Sequence, residues 1–110
     1  MCVFCEIIKG NIPSTKIFEN EEFIIIKDIE PIAKIHYLAI PKNHYKLLNE
    51  MEKSDKKIIS NILSTIAELS CELGLNNGYR LIINQGDDAG QTVPHLHIHI
   101  LGGEELSWHK

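Results

Sequence analysis

Apolar positions along the chain switch between two periods. In "STKIFENEEFIIIKDIEP" two short runs of β type, Lys16–Glu19 and Phe23–Lys27, flank the polar residues Asn20, Glu21 and Glu22, and this predicts a hairpin. The segment "KIHYLAIPKNH" supplies a third strand, closed by Pro41. From Ser54 to Leu73 the period lengthens: Ile58, Ile59, Ile62, Leu63, Ile66, Ala67, Leu69 and Leu73 recur at the spacing of one helical face, with Ser54 as N-cap and Gly74 as terminator. "NNG" then turns the chain into "YRLIIN", a fourth strand, and "HLHIHIL" is the fifth. Strands grouped around one long helix predict an α+β fold with a mostly antiparallel sheet and the helix lying across it.

Composition narrows the class. A chain of 110 residues suits one domain, residues 1–110, and 44% hydrophobic with 24% charged residues is ordinary for a soluble globular protein. No apolar run approaches the roughly 20 residues needed to span a bilayer, so a membrane protein is excluded. The opening "MCVFCEIIKGNIPSTK" lacks a basic leader with an apolar core, and a cytoplasmic location is expected. A net charge of −4 provides no field for a nucleic acid polymer, but a small phosphate ester held by local groups remains compatible.

The chemistry concentrates in "QTVPHLHIHILGG", which holds three of the six histidines at every second position. On a strand, His95, His97 and His99 share one face and Leu96, Ile98 and Ile100 the other, so the aliphatic set should meet the helix while the imidazoles line an open surface. A solvated polar face would more commonly use Thr, Lys or Glu. Two functional readings stand: the imidazoles share one zinc or copper ion, or one acts as a nucleophile while its neighbours orient it and handle protons. The preceding "NQGDDAGQTVPH" adds Gly86, Gly90 and the Thr92 hydroxyl, a loop able to bring amides to phosphate oxygens, which favours phosphorus chemistry. Cys2 and Cys5 form a C-x-x-C pair ahead of the first strand, the wrong place for a thioredoxin-like redox pair, and two thiolates alone cannot complete a tetrahedral zinc site. Cys71, on the predicted helix, is expected in the core.

"HLHIHIL" resembles the His-x-His-x-His signature of the histidine triad nucleotide-binding proteins, and the following "GG" is similar to their Hint branch. The resemblance extends over "CVFCEIIKGNIPSTKIFENEEFIIIKDIEP", "HYLAIPKNH" and "LGLNNGYRLIINQGDDAGQTVPHLHIHILGG", nearly the whole chain. It implies a five-stranded sheet with one long and one short N-terminal helix, dimerisation, and hydrolysis of purine nucleoside phosphoramidates to the nucleoside monophosphate. By that resemblance His97 is the nucleophile, its second nitrogen bonded to the His95 carbonyl. His99, His36 and Thr92 then serve the phosphate and the leaving amine. Asp28 would bind the ribose hydroxyls, Phe4, Ile7, Ile12, Ile26 and Ile29 would enclose the base, and Asn84, Gly90, Gln91 and Val93 would lie near the phosphate. Cys2, Cys5, His44 and His95 would hold a structural zinc ion, as in many bacterial members.

The tail departs from that pattern. "GGEELSWHK" puts Glu104 where the family has an arginine and ends without its prolines, which leaves leaving-group choice and any contact of Trp108 with the substrate open. A dinucleoside polyphosphate hydrolase, a regulatory nucleotide-binding protein with little turnover, and a metal-binding protein using all three histidines are the competing readings.

Overall fold

The computed structural model describes residues 2–108. Asn20 makes the first hairpin: its side-chain oxygen accepts the backbone N–H groups of Glu22 (2.9 Å) and Phe23 (3.0 Å), a local turn that joins β1 (Lys16–Glu19) to β2 (Phe23–Lys27). β3 (Ile35–Pro41), β4 (Tyr79–Ile82) and β5 (Ile98–Gly102) complete a five-stranded sheet in the order β1-β2-β3-β5-β4, with every neighbouring pair antiparallel. A short helix, α1 (Val3–Ile8), precedes the sheet, and a long one, α2 (Lys57–Leu69), connects β3 to β4.

Strand alternation sends side chains to two cores, one on each sheet face. Phe23, Ile25, Ala39, Ile98 and Ile100 pack against Ile58, Ile62 and Ile66 of α2. Ile24, Ile26, Leu38 and Ile40 pack against Phe4 and Ile7 of α1. This double coverage explains the unbroken apolar run of β2, whose residues Phe23 to Ile26 are all buried. His36, His97 and His99 alternate with the α2-facing residues and therefore share the α1 side with the second core.

The helix is shorter than its pattern. It begins at Lys57, with Lys56 at the N-cap position and no side-chain cap; Ser54 falls in the preceding turns, where the Asp55 carboxylate accepts the Glu52 N–H at 3.3 Å and the Asp55 carbonyl accepts the Ile58 N–H at 3.0 Å. It ends at Leu69, and the chain continues through turns to Gly74, whose φ of +79° stops the segment as expected. Cys71 falls in those turns and is exposed, not in the core. Only Ile58, Ile62 and Ile66 are buried, so the half of the apolar stripe carrying Ile59 and Leu63 faces outward, with Leu63 41% exposed.

The fourth and fifth strands are also shorter than expected, ending at Ile82 and starting at Ile98. At the far end of β5, a Cβ on Gly102 would come 2.5 Å from Leu75 Cδ2, so α2's trailing loop packs directly on the backbone there. Among the described residues no helix is long and apolar enough to cross a membrane.

Candidate active site

The α1 face of the sheet holds a cleft of about 470 Å³. Its apolar walls include Phe4, Ile7, Ile12, Ile26, Ile29, Ile32 and Val93, and its polar groups include Asp28, His36, Thr92 and His97. That mixture, apolar walls with a few convergent polar groups, suits a small organic ligand with a charged end. The imidazoles do not line an open surface as alternation alone suggested: His36 is nearly buried among Asp28, Ile32 and His99, and His95 is wholly buried and His97 nearly so because α1 covers them. Phe4 does most of this, its ring edge-on to His97 at 5.0 Å and to His95 at 5.8 Å between centroids.

His97 Nδ1 lies 2.7 Å from the His95 carbonyl oxygen. A carbonyl only accepts, so Nδ1 carries the hydrogen and donates it, which leaves the Nε2 lone pair of the neutral ring free of that bond. His97 lines the cleft, so this nitrogen belongs to a ring at the ligand's edge.

A second chain of bonds sets the tautomers of His36 and His99. The Ile32 N–H donates to His36 Nδ1 at 3.2 Å, so the neutral His36 ring holds its hydrogen on Nε2. That nitrogen is 2.9 Å from His99 Nδ1 and 3.3 Å from an Asp28 carboxylate oxygen. His99 thus receives at Nδ1 and presents an N–H at Nε2. Burial, and then the charges His97 and His36 would carry, push the His99 pKa down to about 4. Burial also lowers His36, partly opposed by Asp28. Both rings are therefore neutral in the free protein near pH 7, donors of hydrogen bonds rather than standing acids.

This carries a stability consequence. An unfolded histidine takes its proton near pH 6.5, whereas folded His99 does so only near pH 4, so between those values the unfolded chain binds more protons and stability falls as pH falls. Melting curves over this window are expected to show the decline, with a shallower slope in His99→Asn. Equal slopes in the two proteins would refute the assignment.

The third ring of the row serves a different site. His95 Nε2 donates to the Pro41 carbonyl at 2.8 Å, which directs the Nδ1 lone pair toward Cys2 Sγ at 3.2 Å and Cys5 Sγ at 3.6 Å. His44 Nδ1 is 3.3 Å from Cys5 Sγ, and the four ligand atoms all lie within 4.8 Å of one another. Tetrahedral zinc with two thiolates and two imidazoles sets neighbouring S and N atoms about 3.6 Å apart, so this donor set fits that ion with small adjustments. Electrostatics agree: burial, and then the neighbouring Cys2 sulfur, push the Cys5 thiol up, a strain that a bound cation relieves. A zinc ion here would fasten α1 to the segments holding His44 and His95.

The three histidines of the row do not converge on one point. Among the described residues the two groups of close ligand atoms are Cys2, Cys5, His44, His95 and Asp28, His36, His99. In the latter, the atom of His36 that faces its partners already bears a hydrogen, which disfavours a cation.

Most of the expected ligand-binding residues meet at the cleft: Phe4, Ile7, Ile12, Ile26, Asp28, Ile29, Thr92, Val93 and His97 all line it. Asn84, Gly90, Gln91, His99 and Trp108 do not. Gln91 braces the loop instead, accepting the Gly86 N–H at 2.9 Å and donating to the Lys46 carbonyl at 2.9 Å. Gly90 closes the 3-10 turn Asp87–Ala89 at φ +80°. Trp108 is 84% exposed, stacked by the Arg80 guanidinium 5.7 Å from its ring centre. Val3, Pro13, Ser14, Lys27, Glu30, Ile32 and Leu38 line the cleft without having been singled out in the sequence. Ile32 was legible as an apolar residue in the turn after Asp28, where nothing else calls for one.

Fold and site together define a small α+β protein with a ligand cleft closing on a tautomer-fixed histidine and a thiol–imidazole cluster behind it. Residues 1–109 match the family described as "Scavenger mRNA decapping enzyme C-term binding". A HIT family hydrolase from Clostridium thermocellum is 46% identical, with a TM-score of 0.92 over 98% of this chain and 95% of that one. A histidine triad nucleotide-binding protein from Candida albicans is 34% identical, with a TM-score of 0.83 over 100% of this chain and 84% of that one. A zinc-bound histidine triad family protein from Mycobacterium smegmatis is 36% identical, with a TM-score of 0.83 over 97% and 80% respectively. The chain belongs to the histidine triad family.

Proposed function

We propose that the chain is a nucleotide-binding hydrolase that cleaves the P–N bond of purine nucleoside phosphoramidates through a nucleotidyl group carried on His97. The observation that carries this reading is the 2.7 Å bond from His97 Nδ1 to the His95 carbonyl, which leaves an uncommitted Nε2 lone pair on a ring lining the cleft. The His97 Nε2 lone pair attacks the α-phosphorus, the P–N bond breaks with its electron pair going to the amine, and the amine leaves once protonated. Water then attacks phosphorus, the P–Nε2 bond breaks, and nucleoside monophosphate leaves.

The neighbouring donors serve these steps. The Thr92 hydroxyl on the cleft wall, and the Nε2–H of His99 just behind the wall with its ring 5.0 Å from that of His97, are the donors nearest the non-bridging oxygens, where negative charge accumulates. With substrate bound, the hydrogen-bonded His36–His99 pair takes up one proton from solvent, and His99 hands it from Nε2 to the departing amine, so the pair returns to its neutral state. The phosphate's own charge raises the imidazole pKa values that burial holds down, so the acid forms when substrate is present. Asp28 accepts the ribose hydroxyls, while the isoleucines and Phe4 take the base. Zinc at Cys2, Cys5, His44 and His95 is structural in this reading, and a reducing, cytoplasmic setting suits its free thiols. A homodimer is part of the same reading, supported by the open edge of β4 and the outward half of α2 carrying Ile59 and Leu63.

Brief mixing with adenosine 5′-phosphoramidate followed by quench into alkaline denaturant, which preserves a P–N bond to histidine, is expected to trap one nucleotidyl group per chain, which peptide mass spectrometry assigns to His97. Steady turnover with no adduct at any mixing time would refute the covalent route.

A further inference from the structure

The turn that ends β5 reaches the loop in front of β3. Gly103, at φ +80°, sits where a Cβ would come 2.8 Å from Ile35 Cγ1, so the chain passes tightly beneath Ile35. The next residue, Glu104, accepts the backbone N–H of Lys34 on its carboxylate at 2.5 Å, a bond spanning 70 positions of sequence.

The loop from Asp28 to Lys34 has few other anchors. Ile29 and Ile32 are 90% and 77% exposed, Pro31 has no N–H, and Ala33 is its one buried side chain. Its backbone is held by N–H bonds at alternate residues: Asp28 to the His36 carbonyl (3.0 Å), Glu30 to the Asp28 carboxylate (2.8 Å), Ile32 to His36 Nδ1 (3.2 Å), and Lys34 to Glu104. The first three close the loop on itself and on His36. The fourth is the one of these that ties it to a distant part of the chain.

We infer that Glu104 is a positioning residue for the His36–His99 pair: by holding Lys34 it fixes the loop in which the Ile32 N–H meets His36 Nδ1. The His36 hydrogen then stays on Nε2, facing His99. Without Glu104 the loop loosens, the Ile32 N–H swings off His36, and the ring populates both tautomers. In the Nδ1–H form His36 no longer donates to His99. The tautomer part of this inference stands on the loop alone, whereas its effect on rate rests on the proposed phosphoramidase reading.

Long-range ¹H–¹⁵N spectra of the substrate-free full chain at neutral pH read the His36 nitrogens directly. In Glu104→Ala the Nδ1 and Nε2 shifts are expected to move toward each other, and kcat for adenosine phosphoramidate to fall about fivefold with KM little changed. Glu104→Gln, whose amide oxygen accepts the same N–H, is expected to restore both. Glu104→Leu, closer in volume, is the second deletion and must reproduce the shifts, including where the alanine variant fails to fold. Parental His36 shifts in the deletion variants overturn the inference, as does a loss that Glu104→Gln does not rescue. The shifts need no substrate, so failure of the loop mechanism is distinguished from failure of the phosphoramidase reading.

Discussion

A His97→Asn chain is expected to bind a purine nucleoside monophosphate about as tightly as its parent while losing at least about 10⁴-fold in kcat/KM for adenosine phosphoramidate. The asparagine amide can still donate to the His95 carbonyl and roughly fills the space beside Phe4, so the cleft keeps its shape. What disappears is the nitrogen lone pair able to carry phosphorus, and no other group in the cleft replaces it. Calorimetric binding and steady-state kinetics on the same preparation make the comparison. Turnover within tenfold of the parent would remove His97 from the bond-making step. Loss of a metal ion from this variant, with Cys2 and Cys5 intact, would instead favour an ion shared by the histidine row.

Removing the ion from the thiol–imidazole cluster should give the largest effect on stability. One zinc per chain is expected by elemental analysis, and Cys5→Ser or a strong chelator should lower the melting temperature by roughly 10 °C or more, the equivalent of a few kcal/mol for a domain this small. The ligands come from three separate segments: Cys2 at the N-cap and Cys5 in the body of α1, His44 from beyond β3, and His95 from ahead of β5. Without a cation the same packing leaves Cys5 with a raised pKa and two sulfurs in close company. Zinc-free protein whose melting is indifferent to chelator would mean that the cysteines are a reduced pair packed against two imidazoles and nothing more. Because Phe4 and Ile7 ride on the same helix, nucleotide affinity should weaken alongside stability in the metal-free chain.

Much of this architecture is legible in residue order. The helical period over Ile58, Ile62 and Ile66 and the alternation of Ile98 and Ile100 with histidine identify which faces meet, because burial against α2 requires those spacings. The limits of α2 were not legible: a serine before an apolar run looks like a cap, but residues 53–56 form turns held by backbone bonds and the helix starts at Lys57 without a side-chain cap. The burial of His95 and His97 also escaped the pattern. Alternation tells which face a ring occupies, but not that a six-residue helix from the N-terminus lies over that face. The roles of Gln91 and Glu104 depend on contacts 45 and 70 positions away, and no local spacing encodes those.

The two-residue step from His95 to His97 to His99 divides three duties among three neighbours: a thiol partner, a ring on the cleft, and a hydrogen-bonding mate for His36. Losing or gaining one residue between His97 and His99 would put their rings on opposite faces of the sheet, so that the ring on the cleft and the mate of His36 could no longer lie side by side. Side chains on this segment can drift one at a time, but its length cannot, so viable variation here must proceed by replacement and never by insertion or deletion.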